Sequence, residues 1–201
     1  MKKRFYLIRH GIKVKHAGNP PLSEVGKMQA QATADYLKKF PIDEIVSSPI
    51  LRSNQTAEYI SKALDIPLVV NRLLRERVNW GDDSKQTFEE FLTMWEKATT
   101  ERDWLPPVGD SSRTSGKRLQ EVIEKHKKNH SQIALVTHGG IITDFLFNVF
   151  DDNILNKISS GFSESKENSI LEGSVTIVDY DLTNKVYDLI SIALTEHLDK
   201  I

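Results

Sequence analysis

The sequence contains no cysteine. Thiolate chemistry, a disulfide framework and any cysteine-ligated metal site are excluded with it. Net charge is also nearly absent: 27 basic residues stand against 28 acidic ones, a formal −1. That balance argues against capture of nucleic acid or an anionic membrane by the whole surface, while leaving room for a local basic pocket. Long apolar runs are missing too. No segment approaches the roughly 18 apolar residues of a membrane span. Met1-Lys2-Lys3-Arg4 leads into Phe5-Tyr6-Leu7-Ile8, and Arg9 and His10 break the run at once. A secretory signal needs about 7–15 apolar residues and a small-residue cleavage site, and neither is here. The expectation is a cytoplasmic protein with neither nucleic acid nor membrane as partner.

What is present is ordinary for a globular chain: 201 residues, 39 % hydrophobic and 27 % charged. Single cores commonly run to about 100–200 residues, so residues 1–201 read as one domain. A chain of this size buries roughly 70 % of its unfolded surface and needs no covalent staple.

Apolar segments alternate with helical patterns along the chain. Phe5–Ile8 reads as a strand buried on both faces. Ser23 can N-cap a helix over Glu24 to Phe40, with Val25, Met28, Ala32, Tyr36 and Leu37 on its inward stripe. Ile42–Ser47 is a second strand, and Pro49 suits the first turn of a helix reaching about Leu64. Pro67–Val70 is a third strand. A polar stretch from about Asn79 to Gly116 holds one helix, Thr87 to Ala98. Further helices are predicted over Ser115–Lys128 and Ile141–Phe150, with a strand at Ile133–Thr137 between them. Val175–Tyr180 and Val186–Ile192 form a terminal hairpin around Thr183-Asn184. Such alternation predicts an α/β fold, a three-layer α/β/α sandwich around a mostly parallel sheet.

Two segments echo each other. Phe5-Tyr6-Leu7-Ile8-Arg9-His10-Gly11 and Ile133-Ala134-Leu135-Val136-Thr137-His138-Gly139-Gly140 are apolar strands ending in His-Gly. Ligands of parallel sheets bind beyond the carboxyl ends of the strands. If the two strands are neighbours, both imidazoles face one crevice. Glycine after each His lets the backbone turn and offers free amides to an anion. Arg9 precedes the first His, and Arg52 lies near the start of a helix that follows another strand. Guanidinium groups match phosphate oxygens, and helix N-termini favour anions. Each of these residues alone reads equally as a surface or capping residue; together they suit a phosphoryl group.

Arg9-His10-Gly11, Ser47-Ser48-Pro49 with Arg52 and Gln55-Thr56-Ala57, Leu74-Arg75-Glu76, and Thr137-His138-Gly139-Gly140 occur in an order that resembles the histidine phosphatase superfamily, which includes the cofactor-dependent phosphoglycerate mutases. The resemblance runs from about residue 4 to 192. It implies a phosphoglycerate-mutase-like fold with a small helical cap inserted at about 79–116. It also implies that His10 is the nucleophile, that Arg9, Arg52, His138 and Gly139 hold the phosphate, and that Glu76 donates a proton to the leaving group. Many members continue Arg-His-Gly-Glu-Thr and place an Asn three residues later. Here Ile12 and Lys13 replace the pair, and His16 stands at the Asn position as a further phosphate-binding candidate. Lys13 and Lys15 are expected to be solvated, as are His126, His130 and His197. The cap aromatics, Trp80, Phe88, Phe91, Trp95 and Trp104, are expected to pack the cap on the core.

The activity implied is hydrolysis of a small phosphomonoester, or of a phosphoprotein, without metal or cofactor, because Arg and His can supply the positive charge. Mutases of the family carry a C-terminal tail that shields the phosphohistidine. The short stretch Thr195–Ile201 leaves little with which to build one, which favours hydrolysis. A phosphoglycerate-mutase-type transferase and a silent phosphate-binding relative are the alternatives.

Overall fold

The computed structural model describes residues 1–125, 131–164, 170–199 and 201. Six strands make one sheet: β1 (Lys2–Arg9), β2 (Glu44–Ser47), β3 (Leu68–Val70), β4 (Gln132–Thr137), β5 (Val175–Asp181) and β6 (Val186–Leu194). Their spatial order is β3-β2-β4-β1-β5-β6. The first three pairings are parallel; β1–β5 and the β5–β6 hairpin are antiparallel. Among the described residues six α-helices join them: α1 (Glu24–Leu37), α2 (Leu51–Leu64), α3 (Phe88–Thr100), α4 (Ser112–Glu124), α5 (Gly139–Val149) and α6 (Asp152–Ile158).

The core strands are apolar on every residue because both faces are covered. Phe5, Leu7, Ile133 and Leu135 point to the side of α4 and α5, in a cluster with Leu119, Ile123, Ile142 and Phe145. Tyr6, Ile8, Ala134 and Val136 point to the side of α1 and α2, with Ala34, Leu37, Ala57 and Ile60. These are the three layers the alternation predicted. None of the described helices is long and apolar enough to cross a membrane.

Some boundaries and one face differ from the expectation. α1 ends at Leu37, and its buried face is Gly26, Ala30, Thr33, Ala34 and Leu37. Val25 and Met28 are exposed instead. The helix is rotated because its first turn meets the loop after β1 backbone to backbone: a Cβ on Gly11 would overlap the Gly26 carbonyl oxygen, and one on Gly26 that of Ile12. Only an inward Gly26 allows that approach. The glycine after His10 therefore serves close packing rather than a turn. α4 starts at Ser112, earlier than Ser115, because Ser111 accepts the Thr114 amide as N-cap. Its predicted extension to Lys128 lies partly outside the described residues, as do His126 and His130. The helix α6 was not expected.

Candidate active site

β1 and β4 lie side by side, with Arg9 opposite Thr137. The next residue of each strand is a histidine, so His10 and His138 leave the same edge together. Their rings sit 5.1 Å apart, edge to face. The amide of His10 continues the ladder to the Thr137 carbonyl (3.1 Å), and the Ser48 amide does so to Val136 (3.0 Å). Thus β2 delivers Ser48 to this edge, and α2 begins just beyond it with Leu51-Arg52.

The hydrogen bonds of His10 specify its tautomer. Nδ1 lies 2.7 Å from the Gly11 carbonyl oxygen, which can only accept, so Nδ1 carries the hydrogen. Nε2 receives the Arg52 Nε–H at 2.8 Å and therefore holds the lone pair. Burial, then the charges of Arg52 and Arg9, push His10 well below the ordinary histidine range. Burial, then Arg52 and His10, do the same to His138. Both rings are neutral near pH 7. His138 Nε2 is fixed 2.8 Å from Ser48 Oγ.

Arg52 Nη2 donates to Asn79 Oδ1 (2.7 Å), and Arg9 donates to the Ile170 carbonyl and to Glu172. Three buried polar atoms here have no hydrogen-bond partner among the described residues: Arg9 Nε, Arg52 Nη1 and His138 Nδ1. Buried polar atoms without partners are uncommon, and two guanidinium donors with an imidazole nitrogen beside His10 suit an oxyanion.

Glu76 is buried beside the first turn of α5. Its Oε1 accepts the amides of Arg77 (2.9 Å) and Ile141 (3.0 Å), and its Oε2 that of Gly140 (3.1 Å). The segment carrying it is fastened twice. Thr137 Oγ donates to the Leu74 carbonyl (2.6 Å), and Arg118 of α4 donates to the Arg75 carbonyl (2.8 Å). Arg77, also buried, lies 3.3 Å from Asp144 and 3.9 Å above the Trp95 ring, so α3 of the cap packs directly onto this segment.

The structure thus brings together Arg9, His10, Arg52 and His138, with Glu76 at the start of α5. Gly139 lies against the Arg9 guanidinium; a Cβ there would stand 3.1 Å from Nη1. The glycine amides are less free than expected. That of Gly11 donates to Thr56 Oγ1 (3.2 Å) and that of Gly140 to Glu76. His16 is not brought in: it is exposed, with Nδ1 on the Ala17 carbonyl (2.6 Å). Lys13 is half-buried rather than solvated; burial and the charge of Arg52 lower its pKa, while Glu172 opposes them. His197 is not solvated either. It stacks on Tyr36 at 4.7 Å and its Nε2 donates to the Gly173 carbonyl at 3.0 Å, because the 3-10 turn after β6 folds it back against α1. Of the cap aromatics, Trp95 packs inward while Phe88 is half exposed.

Sequence reasoning missed Asn79, Arg77, Asp144, Arg118 and Glu172. Asn79 had a signal, since it follows the Glu76 motif by three residues. The others are charged residues whose burial only the tertiary fold sets.

Comparisons with known proteins agree with this geometry. The family model of the histidine phosphatase superfamily (branch 1) matches residues 5–185. The chain is 26 % identical over 183 residues to the protein named "Uncharacterized phosphatase PhoE" of Bacillus subtilis, covering 87 % of this chain and 86 % of that one. It is 29 % identical over 148 residues to the protein named "Probable phosphoglycerate mutase GpmB" of Proteus mirabilis, covering 67 % and 68 % of the two chains. Among solved structures, the mycobacterial glucosyl-3-phosphoglycerate phosphatase in complex with inorganic phosphate has the same fold, with a TM-score of 0.71 at 21 % identity over 97 % of this chain and 99 % of that one. With the fold, the paired histidines and the family model in agreement, this chain belongs to the histidine phosphatase superfamily (branch 1).

Proposed function

We propose that the protein is a metal-independent phosphomonoester hydrolase that works through a phosphohistidine on His10. The observation that carries this reading is a pair of unpartnered guanidinium donors, Arg9 Nε and Arg52 Nη1, with the unpartnered His138 Nδ1, at a buried, neutral imidazole whose tautomer leaves the lone pair on Nε2. A phosphoryl group entering the crevice takes hydrogen bonds from Arg9 Nε, Arg52 Nη1 and His138 Nδ1. Its anionic oxygens are better acceptors than imidazole, so they draw the Arg52 guanidinium from His10 and free the lone pair. Nε2 attacks phosphorus, the P–O bond to the alcohol breaks, and Glu76 gives its proton to the departing oxygen. Oε2 is the oxygen to carry that proton, because it accepts only one amide while Oε1 accepts two. Water then attacks phosphorus, Glu76 takes a proton back, the P–N bond breaks and inorganic phosphate leaves. The two arginines stabilise charge in the loose transition state without a metal. The substrate is a small phosphorylated molecule, the class named in the relatives' descriptions.

The test is release of p-nitrophenol from p-nitrophenyl phosphate in the presence of EDTA, together with an alkaline quench of enzyme caught during turnover of a phosphoryl-labelled ester. The expected result is turnover with an acid-labile, base-stable phosphoryl label that His10→Ala abolishes. Isomerisation of phosphoglycerate without net phosphate release would select the mutase reading instead. Loss of turnover in EDTA, restored by a divalent ion, would overturn the metal-independent mechanism.

A further inference from the structure

A guanidinium at a strand end swings freely unless something holds it, and Arg9 is held on three sides. Its Nη1 donates to the Ile170 carbonyl, its Nη2 is ion-paired to Glu172, and Gly139 packs against the group. Nε is the nitrogen left without a partner among the described residues. The anchors are themselves built onto the end of β1. The Gly173 amide donates to the carbonyls of Arg9 (3.1 Å) and His10 (3.2 Å), and the Arg9 amide donates to the Ser174 carbonyl (3.2 Å). The Gly173 carbonyl accepts from His197. The carboxylate that grips Arg9 is thus carried by a segment bonded to the backbone of the nucleophile.

Arg52 is held differently. It donates to His10 Nε2 and Asn79 Oδ1, both uncharged, and no carboxylate ion-pairs with it among the described residues. Its bond to His10 must break before Nε2 can attack, whereas no Arg9 contact involves the reacting atom. Two guanidinium groups facing one crevice repel, because each is permanently charged and burial weakens the screening by water. The charge of Arg9 acts on buried Arg52 in that sense. Glu172, paired to Arg9, offsets this repulsion before a phosphate enters. Without it, the Arg9 side chain turns away from Arg52 and regains rotamer freedom, which each binding event must then remove.

Resting on the phosphatase reading above, we propose that Glu172 is a positioning residue: by gripping Nη2 it keeps the Arg9 guanidinium in the crevice, against the charge of Arg52, with Nε left for a phosphate oxygen. Glu172 does not touch the substrate. The Arg9–Glu172 pair stays intact when phosphate binds, while Arg52 shifts from His10 to the phosphate.

The test is the affinity for vanadate, measured by isothermal titration calorimetry on the native protein, Glu172→Ala and Glu172→Gln. Calorimetry reads Kd from the folded fraction, so partial unfolding lowers the stoichiometry and leaves the answer intact. Glu172→Ala is expected to weaken binding about tenfold, the scale of a lost charge-assisted hydrogen bond. Glu172→Gln, whose amide oxygen still accepts from Nη2, is expected to recover most of that loss. A loss below about threefold in Glu172→Ala, or a loss that glutamine fails to recover, overturns the proposal. Turnover of p-nitrophenyl phosphate by the native protein judges the phosphatase reading separately. Vanadate binding without turnover overturns that reading and leaves the comparison of variants to decide the role of Glu172. No vanadate binding by the native protein overturns both.

Discussion

Gly140 shows how tightly single residues bind the site to its surroundings. A Cβ at this position would stand 2.6 Å from Glu76 Oε1 and 2.6 Å from the Trp95 ring. Neither neighbour can move without losing contacts: the carboxylate accepts from three amides, and the ring is stacked on buried Arg77, with the carboxylate the smaller group to shift. Gly140→Ala should therefore displace Glu76 before anything else. Displacements of about 1 Å in a catalytic group commonly cost about 100-fold in rate. The loss should depend on the leaving group. Nitrophenolate departs without help from an acid, whereas an alkoxide requires a proton. The expected outcome is a kcat/KM reduced about 100-fold on an alkyl phosphate and much less on p-nitrophenyl phosphate, with an unchanged circular dichroism spectrum. Equal losses on the two substrates would show that Gly140→Ala acts on phosphate binding and not on Glu76.

Among the elements, α4 does the most to hold the site without touching it. Its Arg118 fastens the segment that delivers Glu76, and its Ser112 accepts from Arg77. The helix depends on Ser111, whose Oγ accepts the Thr114 amide at 3.2 Å. Ser111→Ala should cost about 1 kcal/mol of stability. The sign is a lower urea midpoint with an unchanged slope, and unaltered kcat on p-nitrophenyl phosphate at 25 °C. A variant as stable as the native protein would mean that water or Thr114 caps the helix as well. The same scale shows what the sequence made legible. β1 and β4 were readable because strands buried on both faces are apolar without interruption, and their His-Gly endings placed both imidazoles at one edge. The inward face of α1 was not readable from hydrophobicity, since a backbone contact at Gly26 sets it and turns Val25 and Met28 outward. Seven-residue α6 is too short to show a period. The quartet of Arg9, His10, Arg52 and His138 came from motif order. Glu172 and the buried Arg77–Asp144 pair did not, because nothing local distinguishes a buried charge from a solvated one.

For the molecule as a whole, the site has a cost that shows in the pH dependence of stability. His10 and His138 are fully buried with their pKa values well below the ordinary 6.5, and His197 is shifted in the same direction by burial. Below about pH 6.5 the unfolded chain binds protons at these histidines and the folded chain does not. Stability therefore falls as pH falls, with His10 and His138, the most strongly shifted, contributing most. Asp144 acts in the opposite sense. Burial raises it from 3.8 to about 7 even beside Arg77, so the folded state holds a proton that the unfolded chain has lost. Across about pH 4 to 7 this term adds stability as pH falls and offsets one histidine. Two buried histidines against one carboxyl leave a net loss of stability as pH falls from about 6 to 5, where the unfolded histidines are mostly protonated. Urea unfolding at pH 7.5, 6.0 and 5.0 should show the midpoint falling in that order. Asp144→Asn should steepen the fall, because it removes the opposing term. Vanadate, bound by the native state alone, should flatten it, because an anion beside the imidazoles raises their pKa values toward those of the unfolded chain. A midpoint that rises from pH 7.5 to 5.0 would show that protonated histidines are tolerated in the crevice, which would remove the physical basis for a neutral nucleophile at His10.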